Sequence, residues 1–145
     1  MYVKLFNKTI EVKTDDIGIC WVEFCDDIKD FNVDNENVIQ KQFTEYEEGA
    51  RKVFDLPLHI KGTEFQKKVW NALLEIPYGE TRSYQEIAIQ IGNPKAVRAV
   101  GGACNRNPIG IIVPCHRVVG KNGSLTGYAG GLDYKKLLLE KEKMG

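Results

Sequence analysis

The sequence predicts an α+β protein in which a small N-terminal sheet with one helix precedes a mostly helical second half. Near the N-terminus, polar turns separate three short segments rich in β-branched and aromatic residues, which is typical of a strand meander: residues 2–6, 9–13 and 17–24. The second half carries two helix capping boxes and an Asn-Pro pair, which are helix start signals. We therefore place a boundary at about residue 60, between an N-terminal structural α/β domain (1–60) and a C-terminal domain (61–145).

One helix and one extended connector complete the N-terminal domain. The helix is predicted to begin at an Asp-Asn N-cap at 34–35, to end near Gly49 and to bury a stripe formed by Ile39, Phe43 and Tyr46. Residues 54–60 then alternate apolar and polar side chains, which predicts an extended segment with one face packed inward.

Helix start and stop signals locate three helices in the C-terminal domain. The capping box at 63–66 opens a helix that a Pro-Tyr-Gly run ends at 77–79, and the box at 83–86 opens a second helix that closes at Gly92. Asparagine is a favoured N-cap and proline a favoured first helical residue, so Asn93-Pro94 predicts a third helix over 95–104. The last two helices form a helix-turn-helix candidate.

The predicted helix over 95–104 has an unusually bare surface, because most of its side chains are small: Ala96, Ala99, Gly101, Gly102 and Ala103. Two interpretations are open, namely tight packing inside the domain or the close approach of a partner. Arg98 is a single long cation among these small residues, as in proteins that insert a side chain into DNA. We therefore expect residues 83–104 to face DNA.

Composition and charge exclude several classes of protein. A chain of 145 residues with 43% hydrophobic and 28% charged residues is neither disordered nor fibrous. Its longest nearly apolar run, 109–113, is too short to cross a membrane, and no signal peptide opens the chain, so we expect a cytoplasmic protein with reduced cysteines. The net charge is zero, yet residues 87–132 contain no acidic residue, which either attracts a polyanion or leaves a solvated surface short of acids.

A cysteine beside a histidine follows a predicted buried strand at 109–113. A thiol reacts as its thiolate, which nearby cationic or proton-accepting groups favour, so Cys115 with His116 and Arg117 is the candidate nucleophile. The alternative is a buried structural cysteine. Because neighbouring residues of an extended segment point to opposite faces, we expect a water to carry the proton from Cys115 to His116.

A third group must orient His116, and spacing does not choose among the carboxylates of the C-terminal domain: Glu64, Glu75, Glu80, Glu86, Asp133, Glu140 and Glu142. The glycine-rich run at 127–131 predicts a loop that folds over a ligand, with Tyr128 as a flat wall. Residues 132–144 predict a helix that closes the domain.

An ordered series of motifs runs through residues 62–142: Gly62-Thr63-x-Phe65-Gln66, Val69-Trp70, Ile76-Pro77-Tyr78-Gly79, Ser83-Tyr84, Gly92-Asn93-Pro94-x-Ala96-x-Arg98-Ala99-Val100-Gly101, Asn107-Pro108 and Pro114-Cys115-His116-Arg117-Val118-Val119. This series resembles the methylated-DNA–protein-cysteine methyltransferases, also called 6-O-alkylguanine-DNA alkyltransferases. The Pro-Cys-His-Arg element is its most specific part. Residues 1–60 resemble that family only in general shape.

The resemblance implies a ribonuclease-H-like N-terminal domain and a C-terminal domain with a winged-helix-like helix-turn-helix. That domain would bind double-stranded DNA through the minor groove and flip an alkylated guanine into a pocket. The implied reaction is irreversible transfer of an alkyl group from the 6-oxygen of guanine to a cysteine, with the 4-oxygen of thymine as a further candidate. It implies a monomer that needs no cofactor and no membrane.

The resemblance also implies roles for single residues. Cys115 would accept the alkyl group, His116 would accept its proton through water, and Glu142 would orient the histidine. Asn107 would be the hinge that ties the helix-turn-helix to the cysteine loop, and Tyr84 would hydrogen-bond the flipped purine.

The remaining implied residues bind substrate or DNA. The backbone carbonyls of Cys115 and Val118 would accept from the exocyclic amine of guanine, the amide of Ala129 would face its 6-oxygen, and Tyr128 and Lys135 complete the substrate-binding set. Arg98 would fill the gap in the base stack. The rest of the expected DNA-binding set is Asn93, Lys95, Ala96, Ala99 and Gln85.

Some relatives bind zinc in the N-terminal domain, but this chain offers only Cys20, Cys25 and His59 there. Those are too few for the usual four-ligand structural site, so we expect no metal.

Two other functions are compatible with the same residues. A Cys-His-Glu hydrolase would form an acyl-thioester and turn over, although the helix-turn-helix and the acid-free stretch count against it. A DNA-binding module could sense alkylated bases without chemistry, with Cys115 in a structural role.

Overall fold

The computed structural model describes residues 1–25, 31–125 and 131–144. It has the predicted mixed α/β architecture, with a small antiparallel sheet and one helix first and four helices around a short two-stranded sheet afterwards. Among the described residues, no helix combines the length and the apolar character that crossing a bilayer needs.

The N-terminal sheet is the predicted meander of three antiparallel strands. Its strands are β1 (Tyr2–Leu5), β2 (Lys8–Thr14) and β3 (Ile19–Cys25), in the order β1-β2-β3. Both residues of the tight turn between β1 and β2, Phe6 and Asn7, have positive φ angles, and the Glu47 carboxylate accepts a hydrogen bond from the Phe6 amide. Glu47, from the helix over residues 38–47, therefore holds this turn, in which a bulky residue such as Phe6 is unusual.

Helix α1 (Val38–Glu47) packs against β1 through the buried Gln40 side chain, which accepts from the Lys4 amide and donates to the Lys4 carbonyl. The predicted N-cap at 34–35 is wrong. Asn37 caps the helix, because its side chain accepts from the amides of Ile39 and Gln40. Asp34 instead closes a turn before the helix, since its carbonyl accepts from the Asn37 amide.

The two capping boxes are confirmed. Helix α2 (Glu64–Leu74) starts at Thr63 and helix α3 (Tyr84–Gln90) at Ser83, each with the reciprocal hydrogen bonds of a capping box. Gly92 has φ +80°, as a glycine that ends a helix requires.

The last helix of the helix-turn-helix starts later than predicted. The Asn93 carbonyl accepts from the Ala96 amide, so residues 93–96 form a turn around Pro94 and Asn93 does not cap the helix. Helix α4 covers Val97–Asn105, and Ala96 at its N-cap makes no side-chain hydrogen bond.

The predicted strand at 109–113 is also wrong. Only Ile109 forms a β-bridge, to Val22 of β3, and Ile111 has φ +74°, which a strand does not allow. Residues 111–119 are all buried, so their apolar side chains can point in several directions. The segment can therefore turn on itself inside the protein. A run of apolar residues marks burial without specifying a strand.

A 3-10 turn (Cys115–Arg117) leads from that segment into β5 (Val118–Val119), which pairs in parallel with β4 (Arg82–Ser83). Helix α5 covers Leu132–Met144, as predicted. The glycine-rich run with Tyr128 and Ala129 lies largely outside the described residues.

Candidate active site

Cys115 and His116 are buried on the 3-10 turn that precedes β5. The Cys115 residue is 5% exposed and His116 is fully buried. Because successive residues of a 3-10 turn project about 120° apart, the two side chains do not point to opposite faces, as an extended segment would have required.

Glu142 of α5 is the carboxylate that contacts His116, which answers the question that spacing left open. Its Oε2 lies 2.6 Å from Nε2 of His116. Nε and Nη2 of Arg117 donate to its Oε1 and Oε2 at 2.7 and 3.1 Å, and the Tyr46 hydroxyl donates to Oε2 at 2.6 Å. Glu142 therefore accepts from three side chains in a site closed to solvent.

The electrostatics of this group keep Glu142 charged. Burial alone would raise the pKa of Glu142, but hydrogen bonds from His116 and Arg117 and the charge of Arg117 outweigh burial and lower that pKa to about 2.

His116 is held as a neutral base. Burial lowers the pKa of the imidazole despite the opposing pull of Glu142. An anionic Glu142 beside Nε2 favours the tautomer with the proton on Nε2, which leaves a lone pair on Nδ1. Within the described residues, Nδ1 of His116 has no hydrogen-bond partner. The ring can therefore accept one proton on Nδ1.

The resting Cys115 thiol is protonated, contrary to the expectation that its neighbours favour the thiolate. Burial raises the pKa of Cys115 to about 11, although a hydrogen bond from Asn107 opposes this change. Arg117 does not assist the thiol as a flanking cation, because its guanidinium binds Glu142 and the carbonyl of Ile76.

Three other expected site residues surround this centre. The Asn107 side chain donates to the Val113 carbonyl at 2.8 Å and accepts from the Ile109 amide at 2.9 Å, so it links the end of α4 to the cysteine segment. Lys135 is fully buried and donates to the Val118 carbonyl at 2.6 Å. Its Nζ lies 5.9 Å from the ring centre of Tyr84, the first residue of α3.

The expected DNA-binding residues lie at the surface of the helix-turn-helix. Arg98, Lys95, Asn93, Ala99 and Gln85 are exposed and Ala96 is half-buried. A Cβ built at Gly101 would lie 3.9 Å from the Tyr84 ring, and one at Gly102 would lie 3.9 Å from the Arg106 guanidinium. These are ordinary van der Waals distances, so among the described residues no tight internal contact explains the two glycines.

Comparison with known proteins places the chain in a family. The model of the DNA binding domain of 6-O-methylguanine DNA methyltransferase matches residues 64–144. A methylated-DNA–protein-cysteine methyltransferase of Methanosarcina acetivorans is 53% identical, and the alignment covers 98% of each chain. The chain belongs to this methyltransferase family.

Other members of the family are similar over most of this chain. The inducible methylated-DNA–protein-cysteine methyltransferase of Bacillus subtilis is 61% identical over 70% of this chain and 57% of its own length. A crystal structure of Mycobacterium tuberculosis OGT in complex with DNA is 45% identical, with a TM-score of 0.84, over 94% of this chain and 87% of that one.

Tyr46 is the site residue that the sequence did not reveal. Its position in the apolar stripe of α1 predicted a buried ring, and the ring is buried. The stripe carried no information about the hydroxyl, which contacts a carboxylate 96 residues further along the chain.

Proposed function

We propose that this protein repairs DNA by moving an alkyl group from the 6-oxygen of guanine, and as a further candidate the 4-oxygen of thymine, to the sulfur of Cys115. The observation that carries the proposal is the buried arrangement of Cys115 beside His116, whose ring is held by Glu142 and whose Nδ1 is unpartnered among the described residues. Membership of the methyltransferase family gives this arrangement its substrate.

The reaction needs a base, because the buried thiol is protonated at rest. Neutral His116 takes the Cys115 proton on Nδ1 through a water, and Glu142 stabilises the imidazolium that forms. The thiolate attacks the alkyl carbon, an S–C bond forms, and the C–O bond to guanine breaks with its electron pair staying on the base, which takes up a proton. The thioether is stable, so each chain acts once.

Hydrogen bonds around the substrate base follow from the positions of the other site residues. We assign to Tyr84 a hydrogen bond with the flipped purine. The Val118 carbonyl already accepts from Lys135 and has a second lone pair for the exocyclic amine of guanine. Asn107 supports the thiolate, since its hydrogen bond opposes the rise in the pKa of Cys115.

The helix-turn-helix of α3 and α4 is the proposed DNA surface. Small residues on α4, namely the exposed Ala99 and the half-buried Gly101 and Gly102, let a DNA backbone approach closely, and Arg98 is exposed beside them. We infer binding through the minor groove, with Arg98 filling the gap left by the flipped nucleotide. Lys95, Asn93 and Gln85 would contact phosphates and the groove edge.

The finer features of the fold and setting are part of the same proposal. We infer a ribonuclease-H-like N-terminal domain, a winged-helix-like C-terminal domain, a boundary near residue 60 and a monomer in the cytoplasm. The reaction as written needs no cofactor and no metal.

Mass spectrometry of the intact protein after incubation with duplex DNA containing 6-O-methylguanine tests this function. We expect one adduct of about 14 Da per chain, the mass of a methyl replacing a hydrogen, located on Cys115 by peptide mapping. Tight binding with no adduct would instead indicate a damage-sensing module. Turnover of thioester substrates with no stable adduct would indicate a hydrolase.

Replacing Arg98 with alanine slows repair of 6-O-methylguanine in duplex DNA by about 10- to 100-fold, because the side chain offsets part of the cost of unstacking the base. Reaction with free 6-O-benzylguanine stays within about twofold of the wild type, since no stack has to be opened. Single-turnover rates on the two substrates measure the difference.

Arg106→Ala is the matched control, because Arg106 is also an exposed arginine and follows α4 directly. It removes the same charge and is expected to slow duplex repair far less than Arg98→Ala. Equal slowing of both substrates by Arg98→Ala would contradict the role in flipping and assign Arg98 to the support of the active site.

A further inference from the structure

Tyr46 connects the N-terminal part of the chain to the reacting groups. It lies near the end of α1, and its side chain is 1% exposed. The hydroxyl donates to Oε2 of Glu142 at 2.6 Å, which is the same oxygen and the same distance as the contact with Nε2 of His116.

Four donor atoms from three side chains surround the Glu142 carboxylate. Each of its oxygens has about two lone-pair positions, so Oε2 is fully used as an acceptor. Oε2 faces the Tyr46 hydroxyl, Nε2 of His116 and Nη2 of Arg117, and Oε1 faces Nε of Arg117. The carboxylate therefore cannot rotate without breaking a buried hydrogen bond, and the Tyr46 hydroxyl is one of the groups that fix it.

Aromatic packing holds the Tyr46 ring in place. Its centre lies 5.4 Å from the ring centre of Phe54, 6.0 Å from that of Tyr78 and 6.3 Å from that of Phe6. Burial and the neighbouring Glu142 charge raise the pKa of Tyr46 above its usual value. The phenol therefore stays protonated and remains a hydrogen-bond donor at neutral pH.

We propose that the Tyr46 hydroxyl is a positioning group for alkyl transfer, which holds Oε2 of Glu142 where it orients His116. This inference rests on the function proposed above. It gives the N-terminal part of the chain a direct effect on the chemistry, although no residue before Tyr84 contacts the base in the mechanism as written.

The Tyr46 hydroxyl also reduces the negative charge on Oε2 of Glu142, the oxygen that contacts His116. The titratable and charged groups that face Glu142 are Tyr46 from α1, Tyr78 from the segment after α2, and His116 and Arg117 from the 3-10 turn. Lys135 faces His116 from α5. Without the hydroxyl, Oε2 keeps more negative charge for His116 and stabilises the imidazolium more strongly, while losing one restraint on its position.

The test compares Tyr46→Phe with Tyr78→Phe. Both variants remove one phenolic hydroxyl and keep the ring, but the Tyr78 hydroxyl donates to the Lys141 carbonyl at 3.4 Å rather than to Glu142. Single-turnover transfer from free 6-O-benzylguanine is followed across pH, with the adducts per chain giving the active fraction and the time course giving the rate constant. DNA affinity is measured in parallel.

For Tyr46→Phe we expect the plateau rate constant to fall about fivefold. We expect the acidic limb of its pH profile to move up by about half a unit, because an imidazolium that is stabilised more strongly raises the pKa of His116. The active fraction and the DNA affinity stay near the wild-type values, and Tyr78→Phe keeps the wild-type profile.

A merely structural hydroxyl would give a smaller active fraction with an unchanged rate constant and midpoint, and that result overturns the proposal. The same shift in Tyr78→Phe also overturns it. If the wild type forms no thioether, the proposed function itself fails, whereas a reactive wild type with an unaltered Tyr46→Phe profile refutes only the role of Tyr46.

Discussion

Replacing Cys115 with serine reduces alkyl transfer by at least about a thousandfold, because a hydroxyl is a far weaker nucleophile than a thiol at neutral pH. DNA affinity stays within about twofold, since serine is close to cysteine in size and Cys115 is buried. Adduct formation with methylated duplex DNA and a binding titration measure the two quantities separately.

Cys104→Ser is the matched control for this experiment. Cys104 is also buried, in α4, and burial raises the pKa of its thiol to about 12. The control is expected to keep one adduct per chain at a rate near that of the wild type. An adduct on Cys115→Ser, together with its loss in Cys104→Ser, would show that the acceptor has been assigned to the wrong cysteine.

Replacing Glu142 with glutamine lowers the free energy of unfolding at pH 7 by about 3 to 5 kcal/mol, because it leaves the buried Arg117 guanidinium without its counter-charge. The glutamine side chain also presents an NH2 group to hydrogen-bond donors of Tyr46, His116 or Arg117, where the carboxylate presented an oxygen. Denaturant unfolding at several pH values measures the difference from the wild type.

The effect of Glu142→Gln depends on pH in a direction set by the carboxylate. The folded-state pKa of Glu142, about 2, lies below the usual value of 4.5, so the charged carboxylate stabilises the wild type fully above about pH 4.5. That stabilisation is lost as the pH falls towards 2. The difference in the free energy of unfolding between the wild type and Glu142→Gln is therefore expected to shrink as the pH falls from about 4.5 to about 2.

Glu140→Gln supplies the comparison, because Glu140 is exposed on the same helix, two residues before Glu142. This change should alter the free energy of unfolding by less than about 0.5 kcal/mol at any pH. A Glu142→Gln variant as stable as Glu140→Gln at pH 7 would show that the buried network contributes no net stability.

The sequence predicted best those elements whose signals are local. Both capping boxes and the glycine at the end of α3 are formed as expected, because their hydrogen bonds join residues three or four apart. The meander is formed where segments rich in β-branched and aromatic residues between polar turns predicted it, and α5 covers the predicted range. Two local predictions failed at α1 and α4, where several polar residues competed for one N-cap and a proline turn replaced the first helical turn.

The buried centre shows the limit of such reasoning. Residues 109–113 had the composition of a strand, but burial on all sides allowed the segment to turn on itself with Ile111 at a positive φ. Cys115 and His116 were recognisable because they are adjacent in sequence. The raised pKa of the Cys115 thiol could not be predicted in this way, because it depends on how completely the surrounding protein buries the thiol.

By itself, the sequence determined the starts of α2 and α3 and the bare helix with a single arginine, and it predicted Cys115 as the candidate nucleophile beside His116. Spacing left seven carboxylates open and the family resemblance implied Glu142, which the tertiary structure places at His116. Only the tertiary structure decided that Arg117 binds Glu142 rather than the thiol and that Tyr46 shares Oε2. The physical reason is the range of the interactions. Caps and stripes act over one or two turns of chain, whereas the bonds to Glu142 join residues 25 to 96 positions apart, and only packing brings these together.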